Sequence, residues 1–152
     1  MKPIALVTAQ AARSLDEDLP PLAQALTDAG VDYEIVCWDD ADADWSRFGV
    51  TVVRSAWDYV PRLQEFLAWA ERVSAQTRLL NPLPLIRWNT DKHYLAELAA
   101  AGIPTVPTHF VAPDAEPLPA LQAFLAAFPQ TAECVVKPTV SAGSREIGRA
   151  HV

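Results

Sequence analysis

Apolar positions along the chain follow two periodicities that alternate. Residues 4–9 form an essentially apolar run, the pattern of a strand buried on both faces. A polar loop with Arg13, Asp16, Glu17 and Asp18 follows. Pro20 and Pro21 then suit a helix start, with Leu22, Ala25, Leu26 and Ala29 at helical spacing and Gly30 as the stop. Residues 31–38 alternate and then turn apolar, which predicts a second strand. Val50, Thr51, Val52 and Val53 are rich in β-branched side chains and predict a third. Pro61 opens an amphipathic helix with Leu63, Phe66, Leu67, Ala70 and Val73 on one face. Leu79, Leu80 and Asn81 predict a short fourth strand ending at Pro82. This order implies a parallel sheet with right-handed crossovers, whose ligands gather at the carboxyl ends of the strands.

The pattern loosens after Leu83. Asn89 or Thr90 is placed to cap a helix over residues 91–101, which Gly102 ends. Residues 103–107 are extended, and 108–111 predict a strand. A second helix spans 117–128, with Leu118, Leu121, Phe124, Leu125 and Phe128 on its apolar side. Residues 133–138 predict a last strand, ended by Pro138.

Composition narrows the function classes. Apolar residues make up 51% of the 152, enough for a core, so wholesale disorder is excluded. A net charge of −7 disfavours nucleic acid and anionic membrane surfaces as partners. No apolar run reaches the roughly 20 residues of a membrane helix, and the start lacks the features of a signal peptide. Cys37 and Cys134 sit in apolar runs and read as buried free thiols of a reducing cytoplasm. His93 and His109 read as structural. The acidic stretch 39–44 reads as a solvated loop. No glycine follows the first strand, which argues against a dinucleotide-binding fold, and no nucleophile elbow or Walker loop occurs.

The chemistry-bearing pattern is a lysine closing an apolar strand. Lys137 precedes Pro138, and a loop of mostly small residues follows: Thr139, Val140, Ser141, Ala142, Gly143 and Ser144. A compact cation beside backbone N–H groups that phosphate oxygens can approach closely suits a triphosphate. Upstream stand Asn81-Pro82, then Trp88-Asn89-Thr90-Asp91-Lys92, then Gly102-Ile103-Pro104 with Pro107-Thr108. In this order the motifs resemble those of the ATP-grasp ligases. Arg54-Ser55-Ala56-Trp57-Asp58-Tyr59, with Glu65-Phe66-Leu67-Ala68-Trp69, is similar to the branch that includes the cycloserine-forming cyclo-ligase.

The resemblance implies an α/β architecture. A pre-ATP-grasp, Rossmann-like parallel sheet over residues 1–82 would precede the truncated start of an α+β ATP-grasp domain over 83–145. Lys92 and Lys137 would contact nucleotide phosphates, and Ser141, Ala142, Gly143 and Ser144 would form the loop that closes over the transferred group. Arg54, Trp57, Asp58 and Tyr59 are candidates for the acceptor substrate, a small-molecule carboxylate; Arg54 and Asp58 could equally form a structural pair, and Trp57 and Tyr59 line a core or cleft. The parent enzyme would use ATP and Mg2+, activating the carboxylate as an acyl phosphate, with the magnesium ligands downstream of this piece. The piece alone would then be inactive.

Residues 146–152 are similar to one reading frame of a widely used sequencing adapter, which implies a non-native tail with few packed contacts. The strand at Val135 would then lack a hairpin partner. The competing reading is a non-catalytic α/β module that binds a small ligand. The sequence leaves the acceptor, the nucleophile and the oligomeric state open.

Overall fold

The computed structural model describes residues 2–142 and 148–151, and the side chains within that range up to residue 148. The chain divides into two compact units, Met1–Trp88 and Asn89–Val152.

The first unit is α/β. Its strands are β1 (Ile4–Thr8), β2 (Tyr33–Cys37), β3 (Val50–Ser55) and β4 (Arg78–Leu80). They form a parallel sheet in the order β2-β1-β3-β4. The central strand β1 buries Ala5, Leu6, Val7 and Thr8, which explains its unbroken apolar run. The connecting helices are α1 (Leu19–Asp28) and α2 (Leu63–Ser74). Gly30, at φ 66°, takes the left-handed conformation that releases the chain from α1 into β2.

Aromatic rings dominate the core. Trp38, Trp45, Phe48, Phe66 and Trp69 are buried with Val7, Val73 and Leu79. Trp69 contacts Phe66, Trp45 and Trp38 at centroid distances of 5.3, 5.4 and 6.3 Å. Offset and edge-on ring pairs of this kind add about 0.5–1.5 kcal/mol each beyond area burial.

A helix that the sequence pattern does not predict, α3 (Leu83–Asn89), follows β4. Its Ile86 is buried in the aromatic core and Leu83 packs against it, so this segment belongs with the first unit. The compact division therefore falls after Trp88, where the sequence reading divides after residue 82.

The second unit holds α4 (Tyr94–Ala100), α5 (Pro117–Ala127), β5 (Glu133–Val136) and β6 (Gly148–His151). Three expectations are corrected here. First, α4 begins at Tyr94 rather than 91, because the Asp91 carboxylate turns the chain by accepting the His93 backbone N–H at 3.0 Å. Neither Asn89 nor Thr90 acts as its cap: Asn89 ends α3, and His93 stands at the cap position. Second, residues 108–111 form no strand. β-forming side chains alone do not make one without a neighbouring backbone, and the nearby Phe110 ring stacks on His93 at 4.2 Å instead. Third, β5 does have a hairpin partner: it pairs antiparallel with β6, Val135 opposite Arg149 and Val136 opposite Gly148. An open strand edge is a template of N–H and C=O groups that an extended backbone completes, whatever its side chains.

Candidate functional site

In the second unit, Lys92 lies just ahead of α4 and its ammonium is half-buried against the segment after β5. It donates to the Thr139 carbonyl at 3.1 Å, the Ser141 carbonyl at 3.1 Å and Ser141 Oγ at 2.7 Å. The Lys92 backbone N–H donates to the same Thr139 carbonyl at 2.9 Å. Ser141 Oγ in turn donates to the Pro138 carbonyl at 3.3 Å. Burial pushes the Lys92 pKa below the ordinary lysine value, and the positive charge of Lys137 pushes it the same way; Asp91 opposes both. Lys137 follows the last residue of β5 and is exposed.

The structure thus brings Lys92 and Ser141 into contact, with Ala142 next in the chain, and the Lys137 charge bears on Lys92. Gly143 and Ser144 lie outside the described residues. A cation beside a hydroxyl, with the charge of a second cation bearing on it, suits an anion with several oxygens.

His93 and His109 sit against aromatic rings. His93 Nδ1 is 2.7 Å from the Asp91 carboxylate, and His109 lies 6.5 Å from the Phe124 ring.

In the first unit, Arg54, Trp57, Asp58 and Tyr59 lie at the carboxyl end of β3 and just beyond it. Arg54 owes its direction to a register shift. Val7 pairs with Val53 but Thr8 pairs with Ser55, so Arg54 is an extra residue and the strand is locally re-aimed. Its Nη2 donates to Asp16 Oδ1 at 3.1 Å and to Asp18 Oδ2 at 3.0 Å. Asp16 Oδ2 and Arg54 Nε are buried and lack a hydrogen-bond partner among the described residues.

Asp58 does not pair with Arg54. One of its oxygens accepts the Trp38 Nε1–H at 2.7 Å, and the other lies 3.5 Å from Arg62. Arg62 also donates to Asp39 at 2.6 Å and to Glu65 at 2.9 Å, and its guanidinium lies 4.5 Å from the Trp38 ring centroid. Hydrogen bonds from Arg62 to Glu65 and Asp39 push its pKa further up, so it stays charged. Tyr59 packs on Phe66 at 5.3 Å, and burial raises its phenol pKa. Trp57, at 46% exposure, is the open aromatic of this group.

Sequence reasoning missed Asp16, Trp38, Asp39 and Arg62 as partners of these residues. Only Arg62 carried a readable signal, being spaced i+4 from Asp58 and i−3 from Glu65.

Magnesium finds no cradle at either place. Among the described residues, no three or more His, Cys, Asp or Glu side chains converge in a way that could hold a metal ion. The charged group in contact with Ser141 is the Lys92 cation, and Asp91 is already engaged by His93. Among the described residues, no helix is long and apolar enough to cross a membrane.

Residues 4–81, the span of the whole parallel sheet, match the family model "D-cycloserine synthetase DcsG, N-terminal domain". The chain belongs to this family. It is 48% identical over 146 residues to the cycloserine biosynthesis protein DcsG of Streptomyces lavendulae, a match covering 96% of this chain and 49% of that protein. A crystal structure of D-cycloserine synthetase DcsG superposes with a TM-score of 0.88 at 47% identity, over 97% of this chain and 50% of that one. The chain therefore spans about half the length of these relatives, and the similarity runs through both units.

Proposed function

We propose that this chain carries the front part of an ATP-dependent, ADP-forming ligase of the ATP-grasp class, which closes a small ring on an amino-acid-like carboxylate. The observation that carries this is the contact of Lys92 with Ser141, with the Lys137 charge bearing on Lys92, in a chain similar to a protein named D-cycloserine synthetase.

The reaction balances simply. A carboxylate oxygen attacks the γ-phosphorus of ATP, the bond to ADP breaks, and an acyl phosphate forms. A nucleophilic nitrogen then attacks the acyl carbon, phosphate leaves, and the nitrogen gives up its proton. Lys92 and Lys137 would neutralise charge that gathers on the phosphate oxygens, and Ser141, with Ala142, Gly143 and Ser144, would lie over them. Lys92 and Ser141 suit phosphate oxygens, whereas no cluster of carboxylates for magnesium stands among the described residues.

The acceptor contacts narrow. Asp58 is committed to Trp38 and Arg62, and Tyr59 to Phe66. Arg54 keeps a partly exposed guanidinium and Trp57 an exposed ring at the carboxyl ends of the parallel strands, where ligands of such sheets bind. The adjacent unpaired Asp16 Oδ2 and Arg54 Nε also favour the second reading, a binding module for an amino-acid-like molecule. A cytoplasmic setting belongs to the proposal and rests on the two free, buried cysteines, Cys37 and Cys134. The charge of −7 supports a small-molecule partner over nucleic acid or a membrane surface.

The test uses a protein of the relatives' full length that contains this sequence. Lys137→Met keeps the stem and removes the charge. A charge-assisted contact contributes about 1.5–3 kcal/mol, so ATP-dependent turnover should drop by roughly 10- to 150-fold. Wild-type turnover would overturn the assignment of Lys137. A chain that binds the amino-acid ligand but never consumes ATP would favour the binding module.

A further inference from the structure

Lys92 meets the proposed phosphate with its ammonium already engaged. An ammonium has three N–H groups. In this structure they have three acceptors: the Thr139 carbonyl, the Ser141 carbonyl and Ser141 Oγ. The Lys92 backbone N–H adds a fourth bond, again to Thr139. Ser141 closes the ring of contacts by donating to Pro138. The chain between Pro138 and Ser141 is thus folded around one cation, although it belongs to no helix or strand.

We propose that Lys92 is a clasp that holds residues 139–141 in place, and that a phosphate reaching Lys92 must draw the ammonium away from these oxygens. Anion binding and release of this segment then become one event. The clasp stands on the geometry alone; the coupling rests on the phosphate reading above.

The exchange is physically favourable. The three present acceptors are neutral oxygens. A phosphate oxygen is charged, so it adds the attraction of two opposite charges to a hydrogen bond that the ammonium already makes charge-assisted. The ammonium is a point charge on a flexible stem, so it can be redirected without the fixed fork of a guanidinium. Lys137 adds a reason for the switch. Two like charges in one neighbourhood repel, and an anion between them turns that repulsion into attraction on both sides.

The reporter is the backbone amide of residue 92, which donates to Thr139 whatever side chain the residue carries. Its hydrogen exchange is read by NMR in the whole chain, with the β1 amides as a control for folding. Lys92→Met should speed exchange at residue 92 by tenfold or more and leave β1 unchanged. Ser141→Ala removes the shortest acceptor but keeps the charge, and should give a smaller acceleration at the same amide. It serves as the second variant if Lys92→Met disturbs the whole second unit. Unchanged exchange at residue 92 in both variants would overturn the clasp.

The coupling is tested with inorganic tripolyphosphate on the wild-type chain. Added tripolyphosphate should shift signals around Lys137 and speed exchange at residue 92, and the acceleration should vanish in Lys92→Met. Shifts around Lys137 with slowed or unchanged exchange at residue 92 would overturn the coupling while leaving the phosphate reading intact. No shift at Lys92 or Lys137 would overturn the phosphate reading, and the coupling with it, but not the clasp.

Discussion

The two units of this chain are stabilised in opposite ways. The first encloses two tryptophans and a phenylalanine in mutual ring contact on a parallel sheet, with Ala5, Val7, Ala70 and Val73 wholly buried. In the second, only Thr90 and Cys134 are buried among the described residues, and α5 buries none of its side chains. Seven large apolar residues are exposed there: Ile103, Val106, Val111, Leu118, Phe128, Val135 and Val136. Burial scales stability at roughly 25 cal/mol per Å² of apolar surface, so the first unit carries most of the folding energy. The second is held by local hydrogen bonds, turns and the Lys92 contacts. Local opening should therefore be confined to the second unit, since weakly packed segments open well below the free energy of global unfolding.

Core truncation is the strongest way to break the comparison. Trp69→Ala removes a ring buried among Trp38, Trp45 and Phe66, and should cost about 3–5 kcal/mol. Phe128→Ala in the second unit removes a ring that is 37% exposed, and should cost less than about 1 kcal/mol. Denaturant titration followed by tryptophan fluorescence and by circular dichroism gives both values. Equal losses would mean that the second unit has a core of its own.

Hydrogen exchange sharpens the same contrast at residue level. Amides of β1 and β3 should exchange at rates set by global unfolding. Those of β5 should exchange much faster, because its pairing with β6 is the two-stranded case that is marginal in water. Equal protection in β1 and β5 would show that the units unfold as one.

What was legible in the sequence follows from the same division. β1, β2, β3, α1 and α2 could be read from periodicity because a buried face imposes one. α3 escaped because Pro82 and Pro84 bracket Leu83, and Leu85-Ile86 reads equally well as extended; only packing of Ile86 into the core decides it. Residues 108–111 were over-read, since β-forming side chains do not supply a partner strand. The β5–β6 hairpin was invisible because it is built from backbone bonds. The motifs single out Lys92 and Lys137, but not the closure of Lys92 on Ser141, a contact between residues 49 positions apart. Arg54 was found and its partner mistaken: a bulge in a β-branched run leaves no mark in the sequence, and Asp16 looks like any acid of a polar loop.

The smallest effect concerns pH and the start of α4. The backbone N–H of His93 is the largest influence holding the Asp91 carboxyl below the usual carboxylate range; the His93 side chain and the positive charge of Lys92 also lower it, while desolvation opposes them. A carboxyl whose folded-state pKa is depressed contributes stability that is fully present above its unfolded value. That contribution is lost as pH falls through the lower folded value. The first turn of α4 should therefore be intact above about pH 4 and loosen only under more acidic conditions. The His93 amide shift, followed by NMR from pH 5 to pH 2, should report a single acid transition there. Asp91→Asn keeps an acceptor oxygen for the same turn but cannot titrate, so in that variant the His93 amide shift should stay flat across the range. The first unit provides the contrast, because the Trp45 and Trp69 rings pack among apolar and aromatic side chains, and the indole signals of these two should not follow the Asp91 transition. An acid transition at His93 that persists in Asp91→Asn would assign the effect to another group and remove Asp91 as the anchor of this turn.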